Sequence, residues 1–263
     1  MITSLSNAKV KQVVLWQTKA KERNKERVFL IEGIKLFEEA PVAWIREAYL
    51  TGDALKRIQE KPALKEKLDQ ISWEEVSDEV MEKMSDTQTP QGILTVLRCP
   101  EYSSADLLKK PEGLYLVLED IQDPGNLGTM MRTGEGAGIT AVIMNKTTVD
   151  IFNPKTIRAT MGSIFRVPFL VVDDLPSFVT EMKKNNIRIF AAHLNGKNYY
   201  AGTSFQRKTA FLIGNEGNGL SEEITALSDE RIKIPMEGKL ESLNAGVAAA
   251  LLLYEAKRQR SIW

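Results

Sequence analysis

Apolar and polar positions alternate along the chain with two rhythms, one in each half. In the first hundred residues short apolar runs are separated by polar stretches of helical period. Residues 4–21 place Val10, Val13, Val14 and Trp16 on or near one side of a helix. Val28-Phe29-Leu30-Ile31 predicts a strand that stops at Glu32-Gly33. A helix over 34–40, a strand over 45–50 and a polar helix over 54–68 follow, then a short strand within 71–76, a short helix over 78–84 and a strand over 92–97. The alternation predicts a small α/β sandwich.

The second half is more regular. Residues 114–118, 141–144, 167–171, 187–192, 209–213 and 232–234 are apolar runs, the pattern of strands covered on both faces. Helical stretches over 127–137, 153–161 and 175–185, after Leu220, and from 245 to about 260 separate or follow them. This predicts a mostly parallel sheet with helices on both faces. Segment 99–113, holding Pro100, Ser103, Ser104 and Pro111, is the linker candidate. The expected division is an N-terminal domain over 1–100, a linker over 101–112 and a C-terminal domain over 113–263.

A chain of 263 residues is long enough for two such cores, and its 43% apolar and 27% charged content is that of a globular protein. The longest apolar run, 247–254, is too short to span a bilayer, and the N-terminus lacks the layout of a secretory signal. One cysteine, Cys99, and one histidine, His193, exclude an internal disulfide and a multi-histidine or thiolate metal site. The expectation is a cytoplasmic protein without a structural metal. Net charge is zero, but residues 1–27 carry seven basic side chains (Lys9, Lys11, Lys19, Lys21, Arg23, Lys25, Arg27) against Glu22 and Glu26. That segment fits either a solvated helix face or an arm that contacts a nucleic-acid backbone.

Three loops carry candidate chemistry. The first, Glu119 to Gly134, follows a strand, bends at Pro124-Gly125 and enters a helix with Asn126 at an expected N-cap and Arg132 near the end of the second turn. Its Gly134-x-Gly136-x-Gly138 comes too late in the helix for a dinucleotide fingerprint. In the second, Gly214, Gly217 and Gly219 flank Glu216, and Ser221 is the expected cap of a following helix; Gly-Lys-Ser/Thr is missing, so a P-loop is rejected. The third runs from Ile234-Pro235-Met236 to Ser242-Leu243-Asn244, at the mouth of a helix that opens with small apolar residues.

In order and content these loops resemble the three motifs of the SpoU/TrmH group of SPOUT methyltransferases. The first matches as Asn126-x-Gly128-x-x-x-Arg132, the second as Ile213-Gly214-x-Glu216-Gly217-x-Gly219, the third as Ile234-Pro235-Met236 with Ser242-Leu243-Asn244. The resemblance covers about 114–260. Phe29-Leu30-Ile31-Glu32-Gly33 and Thr89-Pro90-Gln91-Gly92 are similar to recurring pieces of the substrate-binding domain found in many members. What the resemblance implies is S-adenosylmethionine-dependent 2′-O-methylation of a ribose in structured RNA, a C-terminal deep trefoil knot and a homodimer with its active site near the interface. It places cofactor contacts on Gly214, Ile234, Met236 and Leu243, and catalytic or substrate-side roles on Asn126, Arg132, Glu216, Ser242 and Asn244.

A ribose hydroxyl is a weak acid, so its developing charge needs a cation or base. Arg132 stays protonated in ordinary settings and fits a clamp on the alkoxide and adjacent phosphate better than a base. Asn126 is the expected orienter of Arg132, and Glu216 the holder of substrate or of that arginine. His193, just past a strand, matches no motif, and the tail Lys257-Arg258-Gln259-Arg260 complements a helix C-terminus. The added N-terminal domain with its basic segment favours a large folded RNA, 23S ribosomal RNA over transfer RNA. The competing readings are a non-catalytic RNA-binding or ribosome-assembly factor and a nucleotide-dependent oxidoreductase, the latter without a placed fingerprint.

Overall fold

The computed structural model describes residues 1–199, 202–237, 239 and 242–260. Two compact units emerge: Met1–Glu101 with Phe152–Phe165, and Tyr102–Ile151 with Arg166–Trp263. In chain order the elements are α1 (Ala8–Thr18), α2 (Ala20–Glu26), β1 (Val28–Glu32), α3 (Ile34–Glu39), β2 (Ile45–Leu50), α4 (Gly52–Gln59), α5 (Pro62–Asp69), β3 (Trp73–Glu75), α6 (Asp78–Met84) and β4 (Ile93–Arg98). After them come α7 (Ser104–Leu108), β5 (Leu114–Leu118), α8 (Pro124–Ala137), β6 (Ala141–Asn145), α9 (Pro154–Thr160), β7 (Phe169–Val172), α10 (Leu175–Lys184), β8 (Arg188–Asn198), β9 (Thr209–Ile213), α11 (Glu222–Ala226), β10 (Glu230–Lys233) and α12 (Ala245–Arg260).

In the first unit four strands pair in the order β1-β4-β2-β3, with β2 and β3 parallel and the other pairs antiparallel. Alternate residues point to opposite faces. Val28 and Leu30 of β1 join Val10, Val13 and Trp16 of α1 and Val80, Met81 and Met84 of α6 in one core. Phe29, on the other face, stacks on Phe152 with ring centroids 4.6 Å apart. Helix α9 belongs to this unit rather than continuing the alternation of the second, because Phe152, Ile157, Ile164 and Phe165 bury themselves there.

Three expected elements differ in detail. The helix expected over 4–21 begins at Ala8, where Asn7 caps it by accepting the Lys9 amide (2.8 Å), and it breaks at Lys19, whose backbone is extended. The helix expected over 54–68 is two, since Pro62 lacks an N–H and opens the second, α5. Within the expected linker, Ser103 caps the short helix α7.

The second unit holds six strands, all parallel, in the order β10-β8-β9-β5-β6-β7. Tyr115, Val117, Ala141, Ile143, Ile189, Ala210 and Leu212 face α7, α10 and α11 in one core. Residues of the opposite parity, among them Phe190 and Phe211, form with Phe205 an aromatic cluster of 4.9–6.0 Å centroid separations. Helices α8 and α12 pack together, and α12 packs on β9. Both faces are thereby covered, as the apolar runs predict. Strand β8 runs past its expected end at 192. Its pairing with β10 jumps from Ala191 to Lys197, leaving 192–196 as an excursion. At Gly196 a Cβ would lie 2.5 Å from the Ile232 carbonyl carbon, so only glycine lets the two backbones touch. Among the described residues no helix is long and apolar enough to cross a membrane.

The end of α12 is clasped by the segment between β8 and β9. Gln259 Nε2 donates to the Thr203 carbonyl (3.1 Å), and Gln259 Oε1 accepts the Phe205 amide (2.7 Å). Arg260 donates to the carbonyls of Phe205 (2.7 Å), Glu112 (2.7 Å), Gly113 (3.4 Å) and Arg207. Arg260→Ala is expected to cost about 2 kcal/mol of unfolding free energy in denaturant titration, since several carbonyls lose a charged donor at once. The basic tail thus faces its own fold: Lys257 Nζ donates to the Gly136 carbonyl (2.6 Å), and Arg258 grips Glu255 through two bonds of 2.8 Å.

Candidate active site

Parallel strands end at a common edge, and the three loops leave it after β5, β9 and β10. The first departs from expectation at its helix start. Pro124, with its fixed φ and no N–H, suits the first helical position, so Asp123 becomes the cap and accepts the Asn126 amide (2.8 Å). Asn126 therefore is not the N-cap, and its side chain is released toward the other loops. Its Nδ2 donates to Glu216 Oε1 (2.9 Å), and its Oδ1 accepts from Asn244 Nδ2 (2.9 Å). Asn244 Oδ1 in turn accepts the amides of Gly246 (2.9 Å) and Val247 (3.2 Å), capping α12. A carboxylate only accepts and helix amides only donate, so the two ends of this chain fix the orientation of both carboxamides.

Glu216 also accepts the backbone amides of Gln122 and Asp123, each at 3.0 Å. Partial burial pushes its carboxyl up, but the bonds from the Asn126 side chain and the Asp123 and Gln122 amides outweigh it and hold the group below the ordinary glutamate value. A depressed folded value means the network stabilises fully above the unfolded value of about 4.5 and is lost as pH falls through the lower folded one. Protection of the Gln122 and Asp123 amides, taken relative to their intrinsic exchange at each pH, is expected to fall as pH drops through that folded value. Glu216→Gln turns one acceptor into a donor facing donors; a loss of about 1 kcal/mol in denaturant unfolding is expected at this exposed site.

The second loop closes on itself. Asn215 and Gly219 exchange backbone bonds of 3.0 and 2.9 Å, and Gly219 has a φ of 70°. At buried Gly214 a Cβ would sit 2.1 Å from the Gly219 carbonyl carbon and 2.2 Å from the Leu220 nitrogen. Gly217 is less constrained, with only ordinary contact at 3.6 Å. Ser221 caps α11 as expected (3.2 Å to the Ile224 amide) and donates to Glu119 Oε1 (2.7 Å).

Gly214 follows β9, Ile234 and Met236 follow β10, and Leu243 precedes α12; the last three are half-buried. Half-open apolar side chains suit the flat face of a heterocycle, while the absent Cβ of Gly214 leaves room for the Gly219 and Leu220 backbone. These residues fit an adenosyl group. Ser242 is exposed. Arg132 is exposed too, and neither Asn126 nor Glu216 bonds to it among the described residues. It lies six residues beyond Asn126 on α8, about 120° around the helix. Thr129 and Gly136, near it on the wheel, approach Gly246 and Tyr254 of α12.

Some residues of the site escape a reading by motif. Gln122 and Asp123 act through backbone amides, for which the signal was the Asp123-Pro124 pair. In the excursion of β8, outside that site, Leu194 is 59% exposed. His193, half-buried there, accepts the Asn195 amide at Nδ1 (3.1 Å).

Comparison with known proteins identifies the family. Residues 113–254 match the SpoU rRNA Methylase family, and residues 7–95 match the MRM3-like substrate binding domain. A relative from Bacillus subtilis, named 23S rRNA (guanosine(2553)-2′-O)-methyltransferase RlmP, is 35% identical over 97% of this chain and 98% of its own. The solved AviRb SpoU methyltransferase from Streptomyces viridochromogenes, in complex with AdoMet, superposes with a TM-score of 0.86 at 25% identity, covering 97% of this chain and 98% of that one. An AdoMet-bound rRNA methyltransferase from Sinorhizobium meliloti gives a TM-score of 0.85 at 27% identity over 98% of this chain and 97% of that one.

Proposed function

The chain belongs to the SpoU rRNA methylase family, and from that premise we propose that it methylates the 2′-oxygen of a ribose in 23S ribosomal RNA, with S-adenosylmethionine as donor. The observation that carries this reading is the bonded chain Glu216–Asn126–Asn244, which joins three loops far apart in sequence.

Residues Gly214, Ile234, Met236 and Leu243 hold the cofactor, which when bound supplies an electrophilic methyl group and a thioether leaving group. The protein's own task is to bring a ribose hydroxyl into line and stabilise its charge as the O–C bond forms and the proton passes to water. Asn126, locked by Glu216 and Asn244, offers a fixed carboxamide beside the hydroxyl. Arg132 clamps the alkoxide and the adjacent phosphate. Its position on α8, turned away from Asn126, supports a role for it in the site of a second copy of the chain. The exposed stripe Val247, Leu251 and Tyr254 along α12 (48%, 38% and 50% exposed) is the face where that copy docks. Leu251→Asp is accordingly expected to yield a monomer in sedimentation and to abolish methyl transfer.

The N-terminal unit is the RNA-holding part of this proposal, and the cytoplasm its compartment. A trefoil threading of the C-terminus is supported by the clasp around Gln259 and Arg260. The direct test is incubation with labelled S-adenosylmethionine and, in parallel, unmodified ribosomal RNA and unmodified transfer RNA, followed by digestion to nucleosides. The expected product is a 2′-O-methylated nucleoside from the large-subunit RNA. Label on bases, or on transfer RNA alone, overturns the assignment.

A further inference from the structure

Strands β5 and β9 lie side by side, yet the chain leaves them in opposite directions, toward β6 after β5 and toward β10 after β9. Such a divergence opens a crevice beyond the carboxyl ends of parallel strands, where ligands bind. Here it is a cleft of about 490 Å³, lined by Glu119, Asp120, Gln122, Thr147, Asn218 and Ser221 among others. That volume is within the range of small-ligand sites. None of the residues assigned to the cofactor lines it.

We propose that this cleft receives the guanine base of the nucleotide whose ribose is methylated, an assignment that rests on the methyltransferase reading above. The lining is rich in acceptors. A carboxylate offers about four lone-pair sites. Glu119 uses two, on the amide and hydroxyl of Ser221. Asp120 accepts from Asn145 Nδ2 (2.8 Å) and from the Thr147 hydroxyl, both at Oδ1, which leaves Oδ2. Two carboxylates repel a phosphate and select an edge that donates. Among the four bases only guanine presents two adjacent donors, N1–H and the 2-amino group. The Asn218 side chain adds a carboxamide able to meet an acceptor such as O6.

Placement agrees with the chemistry. Gln122 stands on the rim of the cleft, and its amide binds Glu216 at 3.0 Å. A base seated inside therefore leaves its sugar at the Glu216–Asn126–Asn244 chain. RNA enzymes commonly take their target base out of the stack in this way.

The discriminating variant is Asp120→Asn. Residue 120 is left-handed, with φ of 57°, a conformation asparagine accepts, and the change replaces one acceptor by a donor. The full chain would methylate a 23S ribosomal RNA transcript carrying guanosine, or inosine, which lacks the 2-amino group, at the mapped position. The expected product is 2′-O-methylguanosine, with inosine lowering kcat/KM about tenfold for the unchanged protein. In Asp120→Asn the two substrates should come within about twofold of each other, while S-adenosylmethionine affinity stays unchanged. Asn218→Ala, on an exposed turn, should raise KM for RNA with the same cofactor affinity. Ribose methylation on another nucleoside, indifference of the unchanged protein to inosine, or retained discrimination in Asp120→Asn overturns the base site and leaves the methyltransferase standing. Absence of transfer to any RNA overturns both.

Discussion

Arg132→Ala lowers methyl transfer by about a thousandfold while S-adenosylmethionine binds as before; that is the result expected from its proposed role as the cation that meets a developing alkoxide. The residue is exposed and contributes nothing visible to packing, so its loss should leave the melting temperature unchanged. Single-turnover kinetics and calorimetric titration separate the two effects. The proposed subunit arrangement adds a sharper test. If Arg132 serves the partner's site, mixing Arg132→Ala with Glu216→Ala, each inactive alone, restores activity. Random exchange makes half of the dimers mixed, each with one intact site, so recovery should reach about a quarter of the unchanged enzyme. Recovery of nothing would return Arg132 to its own chain's site.

The second large effect is expected at Gly214. A methyl group there meets the backbone of Gly219 and Leu220 at 2.1–2.3 Å, and backbone cannot swing aside as a side chain can. Gly214→Ala should therefore cost about 3 kcal/mol and displace the 215–220 turn that carries Glu216. Cofactor affinity and transfer should fall together. Gly217→Ala, three positions on in the same turn, meets only ordinary contact and is expected to be nearly neutral. Denaturant unfolding of the pair, with a cofactor titration of each, tells a steric requirement from a general need for flexibility.

Much of this architecture was legible in the sequence because its signals are local. Consecutive apolar residues such as Leu114 to Leu118 announce a strand covered on both faces, and Ser221 followed by two glutamates announces a helix start. Residues within each loop were also legible, since Asn126, Glu216 and Asn244 do converge. What lay outside local reach was the partner each residue takes. Asn126 was expected to cap its helix and orient Arg132; Asp123 caps instead, because the neighbouring proline moved the helix start, and Asn126 bridges two other loops. Glu216 was expected to hold substrate or the arginine; in the structure it accepts three bonds from the loop next to it, from the Gln122 and Asp123 amides and the Asn126 side chain. The register jump of β8 is likewise set by a strand some forty residues downstream. Of the three glycines around Glu216, composition could not tell that Gly214 and Gly219 answer steric demands that Gly217 does not.

The detour of Phe152–Phe165 into the N-terminal unit has a consequence for how the protein is born. As the nascent chain leaves the ribosome, its first hundred residues emerge with Phe29 still lacking the aromatic ring it stacks on. That unit cannot finish until β5, α8 and β6 have also been synthesised, so the usual order of one domain completed before the next begins does not apply. A fragment ending at residue 101 should be sticky and short-lived. Cutting the gene at the apparent boundary would separate a sheet from its own lining.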